Sequence, residues 1–293
     1  IVCSPQDILS TKSKSDQEAP QPDFVVRGAT ASDSDDSTAR KIIPFEDWRR
    51  GGCREGEFPF FSGFAELSGT ASRHPSLNFV RVNLDDVELA GFRETIERGT
   101  VLVSAPKGAD AARELRLLCL KLSERKILAP VLATVGASVD HAGDFAIDMA
   151  CRLGPLLLDG FVDGLWLEQG DAATLRTAFN VLQACRLRMS KTEFISCPSC
   201  GRTQFDLQKV SFRIRERLGH IKGLKIAVMG CVVNGPGEMA DADFGYVGTG
   251  PGKISLYQGH QVMERNLDES VAVDRLVELI RLHGRWMDKP ALG

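Results

Sequence analysis

The sequence predicts an α/β protein, with a partial, barrel-like β/α region followed by a smaller α/β domain. Two observations lead there. From about residue 78, short apolar runs alternate with amphipathic helical patterns, as in parallel strands joined by helices. Near Lys191 that alternation stops, and a compact stretch with its own helix stripe, strands and glycine-rich turns takes over. A length of 293 residues suits two domains. The expected divisions are 1–42 as a disordered or loop segment, 43–190 as the β/α domain and 191–293 as the C-terminal domain.

Residues 1–42 are rich in Ser, Asp, Gln, Pro and Lys and show no sustained apolar period, a composition that does not offset the entropy of ordering. Residues 43–77 carry Trp48, Phe58, Phe60, Phe61 and Phe64 among glycines, and read as a stretch packed on a domain without regular structure. Strands are predicted at Asn78–Leu84, Thr100–Ser104, Ala129–Val135 and Gly164–Glu168. Helices follow them, one with Leu115, Leu118, Cys119 and Leu122 on one face, another opened by Asp171 with Leu175, Ala178, Phe179 and Leu182 inward. Four such units are too few to close a barrel alone. Beyond Lys191 come a short strand at Phe194-Ile195 and a helix striped by Leu207, Val210, Ile214 and Leu218. A buried-type strand Lys225–Met229 precedes strands at Phe244–Val247 and Lys253–Tyr257, joined by a glycine-rich turn. Asp268 caps a last helix with Val273, Leu276, Val277 and Ile280 inward.

Composition excludes several classes. Net charge is −3 and no basic stripe occurs, which argues against a nucleic-acid partner. No apolar run approaches the roughly 18–20 residues that cross a bilayer, so a soluble protein without a membrane partner is expected. The start has no secretory pattern. The eight cysteines are scattered, which fits a reducing compartment better than a disulfide framework. The first residue is Ile1 rather than methionine, and the expectation is a C-terminal part of a longer protein.

The chemistry concentrates in Ser196-Cys197-Pro198-Ser199-Cys200-Gly201-Arg202 and in Met229-Gly230-Cys231-Val232-Val233-Asn234-Gly235-Pro236-Gly237-Glu238. A Cys-x-x-Cys turn aims two thiolates at one metal centre, and nearby glycines let backbone amides reach the sulfurs. A 4Fe-4S cluster normally takes four thiolates. With three, one iron needs another ligand, and Glu238 lies on the loop after Cys231. A carboxylate is a poorly matched iron ligand that a substrate oxygen can displace, which suits catalysis better than electron transfer alone.

Other readings stay open at this point. A cluster-bearing electron-transfer module would keep the cysteines without catalysis, and a zinc-binding interaction domain would recruit His220 or His260 as a fourth ligand. Cys119, Cys151 and Cys185 lie on helix faces and read as core residues, while Cys3 and Cys53 receive no role. Gly248–Gly252 reads as a tight turn rather than a phosphate loop.

The strings Ser196–Thr203, Phe205–Gln208 and Ile226–Glu238 resemble the signature of the GcpE (IspG) family, the 4-hydroxy-3-methylbut-2-enyl diphosphate synthases. The similarity continues through Ala240–Gly245 to His283-Gly284-Arg285-Trp286, and is fair back to Leu156. It implies an iron–sulfur oxidoreductase of the non-mevalonate isoprenoid pathway. Such an enzyme reductively converts 2-C-methyl-D-erythritol 2,4-cyclodiphosphate to (E)-4-hydroxy-3-methylbut-2-enyl diphosphate, with electrons from ferredoxin or flavodoxin. It implies a 4Fe-4S cluster held by Cys197, Cys200, Cys231 and Glu238, with Glu238 also catalytic and Asn234 near the substrate. The family's substrate barrel, with its diphosphate-clamping arginines and lysine, has no counterpart here. Residues 78–190 instead resemble the barrel-like domain inserted in the long form of plastids and some bacteria. The resemblance therefore implies a plastid stroma or bacterial cytoplasm, leaves a homodimer open, and leads us to expect cluster binding without turnover in this chain alone.

Overall fold

The computed structural model describes residues 2–3, 21–26, 40–52, 54–96, 99–108, 110–136, 142–168, 171–233 and 235–289. The chain divides into two compact units, Ile1–Arg188 and Met189–Gly293. In the first, strands β1 (Val2–Cys3), β2 (Phe24–Val26), β3 (Arg40–Pro44), β4 (Glu57–Phe61), β5 (Asn78–Val82), β6 (Thr100–Ser104), β7 (Val131–Val135) and β8 (Gly164–Leu167) pair in sequence order. All these pairings are parallel, and β1 also pairs with β8.

The β/α region is barrel-like, as expected, and the β1–β8 pairing closes its sheet. The closing strands come from the stretch expected as loop, at Val2–Cys3, Phe24–Val26 and Arg40–Pro44. β1 and β2 are too short for a periodicity and β3 offers only Ile42 and Ile43 between Lys41 and Pro44, yet pairing them removes the exposed edges that four units would leave. The rest of 1–42 lies outside the described residues. The aromatic stretch at 43–77 is also regular. It forms β4 and the helices α1 (Phe45–Gly51) and α2 (Phe64–Ser68). Phe58 and Phe60 point into the barrel and Phe61 points out, so both faces of β4 are apolar and the period-2 signal vanishes.

Phe24, Phe58, Phe60, Phe79 and Trp166 interlock inside the barrel, with Phe24 and Phe79 rings 5.3 Å apart and Phe60 and Trp166 5.0 Å apart. The lumen is a packed core, not a pore. Outward strand residues such as Val80, Leu102 and Leu165 meet the helices, chiefly α4 (Ala111–Glu124), α5 (Ala142–Leu158) and α6 (Ala172–Ala184). A short α3 (Phe92–Thr95) follows Gly91, whose φ of 78° is left-handed. Asp171 caps α6 as expected, accepting the Thr174 N–H at 2.7 Å.

The second unit is a five-stranded sheet in the order β13-β12-β11-β10-β9. Its strands are β9 (Glu193–Ser196), β10 (Lys225–Met229), β11 (Phe244–Gly250), β12 (Lys253–Gln258) and β13 (Gln261–Asp268). The β9, β10 and β11 pairings are parallel, while β12 and β13 are added antiparallel. Helices α7 (Leu207–Leu218) and α9 (Glu269–Leu282) cover one face through Val210, Ile214, Val273, Leu276 and Ile280. Asp206 and Asp268 cap them, each accepting a backbone N–H at 3.0 Å. The short α8 (Gly235–Glu238) precedes Met239, which joins a smaller cluster with Met229, Val247 and Tyr257.

Among the described residues no helix is long and apolar enough to cross a membrane.

Candidate functional site

Because β9, β10 and β11 run parallel, their carboxyl ends share one edge, the place where open α/β sheets bind ligands. Cys197 is the first residue after β9, and Cys231 follows β10 by one glycine. The register aligns Ser196 with Val228, which brings Cys197 level with the end of β10. There the Gly230 N–H donates to Cys197 Sγ at 3.2 Å. Cys197 and Cys231 are half-buried, Cys200 is exposed, and all three are free thiols.

The Cys-x-x-Cys segment leaves β9 through Pro198 and Ser199, whose φ of 66° is left-handed and reverses the chain. A turn over Cys200–Thr203 is then closed twice. The Thr203 N–H donates to the Cys200 carbonyl at 3.0 Å, and the Cys200 N–H donates to Thr203 Oγ1 at 3.1 Å. The Arg202 backbone N–H, with its guanidinium and the Thr203 hydroxyl adding smaller effects, holds the Cys200 thiol below its usual range.

Glycines bring the segments of this edge into contact. The Gln204 N–H donates to the Gly230 carbonyl at 2.9 Å. A Cβ at Gly230 would stand 2.8 Å from Thr203 Oγ1, and one at Gly248 would stand 2.5 Å from the Gly230 carbonyl oxygen. The segment after Cys231 is docked back by Met239, whose Cε would meet a Gly245 Cβ at 2.4 Å. Glu238, one residue earlier, is exposed at the end of α8. Asn234, expected near a substrate, lies outside the described residues.

The cysteines are thus gathered at one edge but not into a closed ligand set. Among the described residues no three His, Cys, Asp or Glu side chains lie close enough together to hold a metal ion. In donor type the edge fits an iron–sulfur cluster, with three free thiols, a carboxylate on the adjoining segment and a backbone N–H already aimed at one sulfur.

The histidines considered for zinc do not join it. The His220 Nε2 lies 2.7 Å from the Met287 carbonyl oxygen, and its ring meets Trp286 edge-on at 5.5 Å. His260 is exposed in the β12–β13 turn. In the barrel, burial pushes the Cys119 thiol up to about 11 and raises that of Cys185, as inert core cysteines require. Cys151 is exposed rather than core. The turn at Gly248–Gly252 is a hairpin, as expected, with Gly252 at φ 64°. Thr203 was legible only as part of a motif. The glycine before Cys231 is the trace its packing leaves in the sequence.

Residues 193–282 match the family described as GcpE protein C-terminal domain. Over 275 residues, 92% of the chain, it is 38% identical to the 4-hydroxy-3-methylbut-2-en-1-yl diphosphate synthase (flavodoxin) of Bacteroides fragilis, covering 43% of that protein. It is 62% identical over 137 residues to the flavodoxin enzyme of Protochlamydia amoebophila, covering 46% of the chain and 21% of that protein. It is 57% identical over 150 residues to the chloroplastic ferredoxin enzyme of Oryza sativa, covering 50% of the chain and 20% of that protein. The chain thus spans less than half the length of these relatives. The second unit thus carries a GcpE C-terminal domain at its cysteine-bearing edge, in a chain similar over 92% of its length to a 4-hydroxy-3-methylbut-2-en-1-yl diphosphate synthase.

Proposed function

We propose that the second unit holds a 4Fe-4S cluster through Cys197, Cys200, Cys231 and Glu238, and that the protein opens the ring of 2-C-methyl-D-erythritol 2,4-cyclodiphosphate. The product is (E)-4-hydroxy-3-methylbut-2-enyl diphosphate, and two electrons and two protons are taken up as one water leaves. The observation that carries this reading is the placement of Cys197 and Cys231 at the carboxyl ends of neighbouring parallel strands, in a GcpE C-terminal domain. When bound, the cluster supplies electrons singly and a Lewis-acidic iron.

The chain's own residues prepare that site. The Gly230 N–H orients the Cys197 sulfur, and the Arg202 amide favours the thiolate of Cys200, the form that ligates. Glu238 contributes a carboxylate, a weaker partner for iron than a thiolate, and therefore one that yields to substrate. Asn234 is assigned to substrate contact. Names of relatives specify ferredoxin or flavodoxin, and we assign one of these as the electron donor. Plastid stroma or bacterial cytoplasm is the assigned compartment. A simple electron carrier would provide four thiolates, which favours catalysis over that alternative.

The test is anaerobic assay of the protein expressed from its complete gene, with the cyclodiphosphate and reduced flavodoxin or ferredoxin. Wild type should form the allylic diphosphate. Glu238→Gln should keep its iron and lose at least about a hundredfold in turnover, the scale of removing one group that acts in the transition state. Full activity in that variant, or no product from an iron-replete wild type, would overturn the assignment.

A further inference from the structure

Two segments bear the three cysteines, and Thr203 is placed to bind them into one framework. It belongs to none of the ligand positions above. Its hydroxyl accepts the Cys200 N–H at 3.1 Å, and its own N–H donates to the Cys200 carbonyl at 3.0 Å. The same hydroxyl lies 3.3 Å from Ser199 Oγ, which fixes the left-handed residue inside the Cys-x-x-Cys turn. On its other side the Thr203 side chain fills the space a Gly230 Cβ would take, with Oγ1 and Cγ2 at 2.8 Å and Cβ at 3.1 Å. Gly230 in turn donates its N–H to Cys197 Sγ and immediately precedes Cys231.

We infer that Thr203 is the positioning residue of the cluster site, acting through Cys200 and Gly230 rather than by ligation. This rests on the proposed cluster and adds to it a specific device. The hydroxyl sets the pitch of the ligand turn, and the methyl seats that turn on the glycine between Cys197 and Cys231. Replacement by valine keeps the shape and the contact with Gly230 but removes the acceptor, so the Cys200 N–H loses its partner. Serine keeps the acceptor and loses only the methyl. Outer groups that orient metal ligands typically matter by 10–100-fold in metal retention, whereas a purely structural role would show in stability alone.

The experiment compares wild type, Thr203→Val and Thr203→Ser in the 293-residue chain, reconstituted anaerobically with iron and sulfide. The readouts are the iron count, the electron paramagnetic resonance spectrum of the reduced protein and the rate at which visible absorption bleaches in air. Hydrogen exchange at the Cys200 amide is read in the metal-free proteins. The valine variant should fold, lose protection at the Cys200 amide, bleach about tenfold faster and show a shifted spectrum. The serine variant should stay within about twofold of wild type. A valine variant with wild-type bleaching and spectrum would overturn the inference, as would wild-type protection at Cys200. A wild type that takes up no iron would instead overturn the proposed cluster, and the amide exchange would still decide whether Thr203 holds the turn.

Discussion

In the barrel, the inward residues are bulky and apolar, with Phe24, Phe58, Phe60, Phe79 and Trp166 among aliphatic neighbours, and the sheet closes on itself so that no edge remains. At the carboxyl ends of β6, β7 and β8 there is a cavity of about 370 Å³ rimmed by charged side chains, among them Asp148 and Arg152, which pair with each other at 2.6 Å. In the second unit, the carboxyl edge of β9–β11 is left open, and glycines there let backbone meet backbone and amide meet sulfur. The cysteines divide along the same line. Cys119 and Cys185 have thiols raised by burial, whereas Cys200 has a thiol lowered by a backbone N–H. What differs is the lining of the two carboxyl ends: charged side chains around a cavity in the barrel, and glycines that let a main-chain donor reach sulfur in the second unit.

Breaking the barrel side of this contrast should give the largest effect. Trp166→Ala removes a ring packed on Phe60 and Phe79 and should cost about 4 kcal/mol of stability, read from the denaturant midpoint. A loss below about 1 kcal/mol would mean that the lumen is not a packed core. On the other side, Cys231→Ser should lower iron retention about a hundredfold after reconstitution. Cys151→Ser, on an exposed helix position of the barrel, should leave it unchanged. Equal losses in both would erase the distinction between the units.

The glycine contacts give a finer probe. Gly248→Ala places a methyl against the Gly230 carbonyl and should destabilise by about 2 kcal/mol, while Gly51→Ala, which meets nothing within 4 Å, should be close to neutral.

The smallest effects concern protons. In metal-free protein, Cys200 should alkylate at lower pH than Cys119, because only the thiolate reacts. Cys119 is raised from 9.0 to about 11 in the folded chain, so the unfolded chain releases this proton first. Its contribution to stability is complete below pH 9.0 and falls as pH rises toward about 11. A denaturation series across that window that shows no decline beyond that of Cys119→Ala would contradict this origin.

Much of this was legible in the sequence, and the exceptions have physical causes. Asp171 and Asp268 announce their helices because a cap needs a specific side chain at a specific place. The strands β5 to β12 announce themselves by apolar runs, whereas β13, largely exposed and polar, does not and was not expected. The strands β1 and β2 do not, because two or three residues hold too little pattern, and β3 does not because Arg40, Lys41 and Pro44 leave only Ile42 and Ile43 as its apolar run. The candidate ligands Cys197, Cys200, Cys231 and Glu238 were readable from spacing and resemblance. The role of Thr203 was not, since it depends on a three-dimensional contact whose only sequence trace is a glycine at 230.

The most direct measurement is the iron and acid-labile sulfide content of the 293-residue chain, purified and reconstituted without oxygen. A thiolate-held cubane in the second unit requires about four of each per chain, with a brown colour that reduction bleaches. A colourless protein carrying one zinc and no sulfide would contradict it.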